Sequence, residues 1–341
     1  MRFENIILNI LRVLPKSLLR MIAGPPKIID GNKLDLNIQV VEKLSQKDIK
    51  KPRNSPSEYR EAAVLFDLTG LPRVKNITIK DIKFEGPTQT LDARVYYPKK
   101  KKKNRDGAIL FFHQGGFVIM NHLTDDHFCS LLADTCDAKV ISLDYRLCPE
   151  NDFPSPIEDC LFLWEYVQNN SSQLGIDPKK IVLAGDSAGG LISTTMSIIL
   201  RNQGGVQPLA LCIAYPWVTT SLEDQPSIES CADTFPMTTE TVKFFNRTVF
   251  PDGKNLDHPW ANPLNEKDLS NLPPTLIAIA GFDPIRDQGK IYAKKLIAAG
   301  NDVKQYYFSD LPHSFLILGR ISRSARNACK ILAEDLADYF K

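Results

Sequence analysis

Three residues far apart in the chain have the types needed to turn a hydroxyl into a nucleophile: Ser187, Asp283 and His313. A serine hydroxyl attacks poorly at neutral pH. It needs a base within hydrogen-bond reach, and the base needs an acid to orient it. Ser187 sits in Gly185-Asp186-Ser187-Ala188-Gly189, directly after the apolar run "IVLAG" and before the helix-compatible "GGLISTTMSIIL". A glycine-x-serine-x-glycine at a strand-to-helix turn is the pattern of a nucleophile elbow. The serine backbone is strained in such a turn, and a side chain on either flank would meet the neighbouring strand or helix.

The base has to come from five histidines: His113, His122, His127, His258 and His313. His313 lies in "DLPHSF", between the last strand-like run and the final helical segment. Loops beyond the carboxyl ends of parallel strands are where such a fold presents its chemistry. Asp283 closes the run "TLIAIAGFD" at the same end and is the expected acid, whereas Asp287, one helical turn further, reads as a capping or packing residue. The chain order Ser187, Asp283, His313 is the one a nucleophile-elbow fold uses. Acyl transfer also needs backbone N–H groups for the oxygen that becomes negative, and losing one donor costs about 10²–10³ in rate. "FFHQGGFV" supplies Gly115 and Gly116, and the residue after the nucleophile supplies the N–H of Ala188. His113 is read as a brace for this loop.

These residues need a scaffold that brings them together. At 341 residues, 43% hydrophobic and 24% charged, with a formal net charge of +2, the chain has the balance of a globular α/β protein. Nothing global points to nucleic acid. The runs "AKVISLDY", "KIVLAGD", "LALCIAYP" and "TLIAIAGFD" are continuously apolar, as strands buried on both faces of a parallel sheet are. Upstream, "VKNITIKDIKF" and "LDARVYYP" form a strand pair, "GAILFFH" is a third strand, and "VKQYYF" is the eighth and last. Helical segments are expected at Ser155 to Asn169, Gly190 to Asn202 and from Ser322 to the C-terminus. The run Lys99 to Lys103 is expected to be a solvated hairpin loop. Residues 219–271 exceed a simple connection and carry helical texture around "TTETVKFFNRTVF", which predicts an insertion above the sheet. Residues 1–70 read as helical, with loops at Gly24-Pro25-Pro26 and Pro52 to Pro56. Ile6, Ile7, Ile10, Leu11, Leu14 and Leu18 recur at helical spacing, which predicts an amphipathic helix packed on the protein's own body. Arg12, Lys16 and Arg20 interrupt that apolar stretch, so it reads neither as a clean signal peptide nor as a bilayer span.

The motifs "HQGGF", "DYRLCPE", "GDSAGG", "NPL", "PPTLIAIAGFDPIRDQG" and "PHSF" follow in order from about Lys75 to the C-terminus. In these the chain resembles the hormone-sensitive-lipase-like carboxylesterases. The resemblance implies an α/β-hydrolase fold: a mostly parallel eight-stranded sheet flanked by helices. It also implies a catalytic domain over 71–341, capped by residues 1–70 and the insertion 219–271. It implies hydrolysis of short- to medium-chain acyl esters through an acyl-enzyme, with Ser187 as nucleophile, Asp283 as acid and His313 as base. Gly115, Gly116 and Ala188 then form the oxyanion hole, and no cofactor is required. The chain departs from the family pattern at Gln114, where the first of three glycines is expected; this bears on the shape of the loop rather than on the reaction. Asp144, Tyr145 and Arg146 are expected to support the loop from below. Phe235, Phe244, Phe245 and Trp260 in the cap could line a pocket, but aromatic residues at such spacing are read first as core.

The same triad and hole would serve a lipid, a lactone or an N-acyl amide, and the fold also exists as a binding module. Complete triad residues speak against the last. His122, Asp125, Asp126 and His127 lack ligand spacing for a metal. Seven scattered cysteines read as small buried hydrophobes, not a disulfide framework. Sequons at Asn76, Asn170 and Asn246 read as unused, and the location expected is the cytoplasm. A small acyl ester is the expected partner; a homodimer and a membrane surface touched through the N-terminal helix are kept open.

Overall fold

The computed structural model describes residues 14–49, 51–64, 69–99 and 106–341. Eight strands form one sheet: β1 (Ile77–Glu85), β2 (Thr90–Pro98), β3 (Ala108–Phe112), β4 (Lys139–Asp144), β5 (Ile181–Asp186), β6 (Leu211–Ala214), β7 (Thr275–Phe282) and β8 (Val303–Pro312). They lie side by side as β8-β7-β6-β5-β3-β4-β2-β1. All neighbours from β8 to β4 are parallel, and β4–β2 and β2–β1 are antiparallel. The eight expected strands are therefore the eight observed.

The continuous apolar runs occupy the middle. β3, β5 and β7 are buried along their whole lengths. Side chains alternate between two cores, as the period of a strand demands. Ile109, Phe111, Val182 and Ala184 face one side, where they pack with α4 (Asp126–Cys136) and α9 (Arg323–Asp338). Leu110, Phe112, Ile181 and Leu183 face the other, where they meet α5 (Ser155–Asn169) and α6 (Ala188–Gln203). α8 (Arg286–Ala298) covers a third cluster with Ile277 and Ile279. The final helix starts behind Ser322, whose hydroxyl accepts from Ala325 N at 3.2 Å, the usual role of an N-cap serine.

Two expectations change. The lysine run cannot be a hairpin loop, because the strands on its two sides, β2 and β3, are not neighbours. β4 lies between them, paired as Ala93↔Leu143 on one flank and Ile109↔Val140 on the other. β4 is buried at four consecutive positions, three of them apolar (Val140, Ile141 and Leu143), so it takes an interior place and displaces the more polar β2 outward. Residues 100–105 themselves lie outside those described.

The second change is at the N-terminus. Ile6, Ile7, Ile10 and Leu11 also lie outside the described residues. The first described helix, α1 (Lys16–Ala23), begins after Pro15. Its phase does not place Leu18 on the buried face: Leu18 is 36% exposed, while Leu19 and Ala23 are buried. α1 thus packs on the body of the protein through a different pair. A two-residue hairpin, Ile28–Ile29 with Asn32–Lys33, interrupts the expected helical run before α2 (Leu36–Ile49) and α3 (Pro56–Ala63). No described helix is long and apolar enough to cross a membrane.

The insertion contains α7 (Thr239–Val249), capped by Thr238, which accepts from Thr241 N at 3.1 Å. α3 and α7 meet through Tyr59, whose ring stacks on Phe244 at 4.2 Å and lies 5.9 Å from Phe245. Arg60 of α3 donates to Val118 O at 2.8 Å and to Glu150, which ties this helix to the loop after β3.

Candidate active site

β5 ends at Asp186 and α6 begins at Ala188, so Ser187 is the single residue between them. Ser187 has φ 52° and ψ −113°, a backbone region that a side chain enters only under strain. The flanking glycines cannot be replaced without moving backbone. A Cβ on Gly189 would lie 1.8 Å from Phe112 O, and one on Gly185 would lie 2.5 Å from Gly189 O. The elbow is therefore wedged against the end of β3, from which the Gly115–Gly116 loop departs. Ala188 is the first residue of α6, so its N–H has no acceptor inside the helix.

Three side chains from the ends of three separate strands converge. His313 Nε2 lies 2.9 Å from Ser187 Oγ, and His313 Nδ1 lies 2.8 Å from Asp283 Oδ2. The other oxygen of Asp283 accepts from Ile285 N at 2.9 Å. All three residues are buried. A carboxylate at Nδ1 fixes the tautomer that leaves Nε2 free to accept a proton from the hydroxyl.

Of the remaining histidines, none reaches Ser187. His113 Nδ1 lies 2.6 Å from Gln114 O, which requires Nδ1 to carry the proton. Burial pushes His113 down to about 4, so its ring is neutral at working pH. It stacks on Tyr145 at 4.1 Å, and Tyr145 donates to His113 O at 2.7 Å. His122 bonds to Asp144, and His127 Nδ1 lies 2.8 Å from Pro72 O. His258 accepts from Trp260 N at 3.1 Å within the insertion. Asp126 engages Arg94 and Tyr96. Three of the four residues weighed as a metal cluster, His122, Asp126 and His127, thus turn to different partners.

The expected support beneath the oxyanion loop divides. Tyr145 provides it directly. Asp144 instead holds His122, and Arg146 reaches the other way, to the buried Asp159 (2.7 Å) on α5 and to Thr88 Oγ1 (2.9 Å). A cation adjacent to a buried carboxylate is drawn to it before any exposed partner, which explains Arg146. The seven cysteines are all buried. Asp287 accepts from Ser227 N at 2.8 Å, tying α8 to the insertion as a packing residue would.

Two features go beyond what the sequence reading settles. The cleft in front of Ser187 is narrow and lined by Gly116, Trp217, Met237, Val242, Phe245 and Ile285. Phe245, read as core, packs directly on Gly116: a Cβ there would lie 2.3 Å from its ring. The only local signal was the position of these residues in a long insertion after a strand that ends at the site. The other feature is a buried pair of carboxyls under the elbow. Asp186 accepts from Tyr215 Oη at 2.7 Å, and Asp125 lies close by, 2% exposed, with neither oxygen in a complete hydrogen bond. Burial pushes Asp125 up to about 7 and Asp186 well above the carboxylate range, the charge of Asp125 adding to the second.

That pair carries a prediction. A carboxyl whose folded pKa stands above its unfolded value stays neutral in the fold while the unfolded chain ionises. Its contribution to stability is present in full below about pH 4 and is lost as the pH rises through 7. Asp125→Asn escapes this loss. Its melting temperature relative to wild type is expected to be higher at pH 8 than at pH 4, by on the order of a few degrees. A difference that does not change with pH contradicts a neutral Asp125 in the folded protein.

An elbow serine bonded to a histidine–aspartate pair at the carboxyl ends of a mostly parallel sheet places the molecule in the α/β-hydrolase class. Comparison with known proteins agrees. A family model described as the alpha/beta hydrolase fold matches residues 109–317. The carboxylic ester hydrolase LipN of Mycobacterium tuberculosis is 32% identical, covering 92% of this chain and 85% of LipN. The ethyl acetate hydrolase of Pseudomonas putida is 30% identical, covering 73% of this chain and 79% of its own. The crystal structure of an alpha/beta hydrolase enzyme from the metagenome of Lake Arreo, Spain, superposes with a TM-score of 0.83 at 27% identity, over 90% of this chain and 98% of that one. The chain belongs to the hormone-sensitive-lipase-like family of α/β hydrolases. It is a carboxylic ester hydrolase.

Proposed function

We propose that the protein hydrolyses esters of short- to medium-chain acids through an acyl-enzyme on Ser187. The observation that carries this reading is the continuous relay from Asp283 through His313 to Ser187, set at the foot of a narrow apolar cleft. Ser187 Oγ attacks the acyl carbon while His313 Nε2 takes its proton. The carbonyl oxygen, now negative, is met by the N–H groups of Gly115, Gly116 and Ala188. His313 returns the proton to the departing alcohol. Water, deprotonated by the same nitrogen, then attacks the acyl-serine and releases the acid. Asp283, 2.8 Å from Nδ1, holds and orients the imidazolium.

The acyl-chain limit follows from the cleft. Trp217 and Phe245 stand close to Ser187, and the relative from Pseudomonas putida is named for the ester of a two-carbon acid. Residues 1–70 and 219–271 act in this reading as a cap. Tyr59 of the first and Phe244 of the second lock together, and Met237, Val242 and Phe245 of the second face the nucleophile. A series of p-nitrophenyl esters from acetate to palmitate tests the limit. Expected is a maximum in kcat/KM at acetate to hexanoate, falling by more than tenfold at palmitate. A maximum at palmitate contradicts the reading and makes the protein a lipid hydrolase.

A further inference from the structure

Gln114 and Ser314 are separated by 200 residues and meet inside the protein: Ser314 Oγ donates to Gln114 Oε1. Both are buried. Each is an unusual choice for its position. Gln114 stands where the family resemblance leads one to expect glycine. Ser314 holds a left-handed backbone, φ 62°, which is strained for a residue with a Cβ and not for glycine. A strained non-glycine residue persists where its surroundings hold it, and such residues gather at functional sites.

The two residues are also placed to matter. The N–H of Gly115 belongs to the peptide plane between Gln114 and Gly115, so the setting of residue 114 aims one of the proposed oxyanion donors. Ser314 follows His313, whose Nε2 lies 2.9 Å from Ser187 Oγ. The glycine loop has other anchors. His113 holds Gln114 O, and Val118 N and Ile119 N each donate to Gly115 O at 3.0 Å. These fix the loop to itself, and the Tyr145 hydroxyl, donating to His113 O, ties it to the residue after β4. Among the described residues, the Gln114 side chain is what ties it to the segment bearing His313. The far side of the carboxamide is packed as well: its nitrogen faces the Asp125 carboxyl without a complete hydrogen bond.

We propose that Gln114 and Ser314 form a clasp that fixes the separation between the oxyanion loop and His313, and so act as positioning residues for acyl transfer. Neither touches the reacting atoms. The clasp rests on the esterase reading above. Its effect is expected in the transition state, because the loop and the base must be in register only when charge develops on the carbonyl oxygen. A misplacement of about 1 Å at a reacting centre is worth up to about 10² in rate.

The test uses the full chain with p-nitrophenyl acetate: wild type, Ser314→Gly, Gln114→Leu and the double variant, each with its melting temperature. Ser314→Gly relieves the left-handed strain and is expected to melt no lower than wild type. Its kcat is nevertheless expected to fall by about 10–100-fold with KM within about twofold. Gln114→Leu should fall by a similar factor. The double variant should be no slower than the slower single one, because both changes break one bond. Ser314→Gly at wild-type kcat overturns the clasp, as do losses that multiply in the double variant or that fall on KM alone. Should Gln114→Leu not fold, the comparison of kcat and melting temperature in Ser314→Gly decides. A wild type that turns over no ester overturns the esterase reading and the clasp together, whereas an active wild type with unaffected variants overturns only the clasp.

Discussion

Ser187→Ala is expected to lose about 10⁴–10⁶ in kcat on a short-chain p-nitrophenyl ester, with little change in KM. The size follows from the unity of the relay. Without Oγ, His313 has no proton to take and Asp283 has nothing to orient, so the loss is that of the whole assembly rather than of one contact. What remains is the pull of the backbone donors on a carbonyl attacked by water, worth about 10³–10⁴ over the uncatalysed reaction. The fold should survive. Alanine meets the same strain at φ 52° that serine already bears, and the hydroxyl's hydrogen bond in the structure is to His313. Circular dichroism and melting temperature should therefore match wild type. An active Ser187→Ala, within tenfold of wild type, would remove Ser187 from the chemistry.

Asp283→Asn should cost about 10⁴ in kcat, although it changes a single atom. The reason lies in the second hydrogen bond of Asp283. Its Oδ1 accepts from Ile285 N at 2.9 Å, and its Oδ2 faces His313 Nδ1 at 2.8 Å. An asparagine has one oxygen to give. Turned toward His313, it would set its NH₂ against the Ile285 N–H, two donors facing each other in a buried place. Turned toward Ile285, it presents the NH₂ to Nδ1, which must then accept. The proton of a neutral imidazole moves to Nε2, the nitrogen that has to take the proton of Ser187. The backbone amide thus selects the inactive tautomer. A steady-state assay at neutral pH checks this. Activity within tenfold of wild type would mean that Asp283 does not set the tautomer of His313.

The parts of this arrangement that depend on local pattern could be read from the chain. "IVLAGDSAGG" encodes an elbow because a buried strand, two unavoidable glycines and a helix start are all within ten residues. His313 and Asp283 were legible as ends of strands, since continuous apolar runs mark central strands and thereby mark which end carries the loops. The eight strands were legible for the same reason, but their order was not complete. That β4 separates β2 from β3 is a result of competition among strands for the interior, and no short stretch around Lys99–Lys103 records it. Arg146 was assigned to the wrong neighbour for a related reason: Asp159, its buried partner, is identified only once α5 has packed. Phe245 looked like ordinary core because helical spacing is the same whether the face covers a core or a cleft. The bond between Gln114 and Ser314 had no local signature at all; each residue read as a departure or a loop position, and only the fold brings the two together.

An acyl-enzyme on Ser187 can be trapped by irreversible phosphonylation. The full-length protein is treated with a p-nitrophenyl alkylphosphonate, which expels p-nitrophenol as its phosphorus bonds to the attacking oxygen. The protein is then digested and mapped by mass spectrometry while residual esterase activity is followed. One phosphonyl group per chain is expected, carried by the peptide that contains Ser187, with activity lost in proportion to labelling. An adduct on a different residue that accounts for the lost activity, or full ester turnover by protein already modified at Ser187, would contradict an acyl-enzyme on that serine.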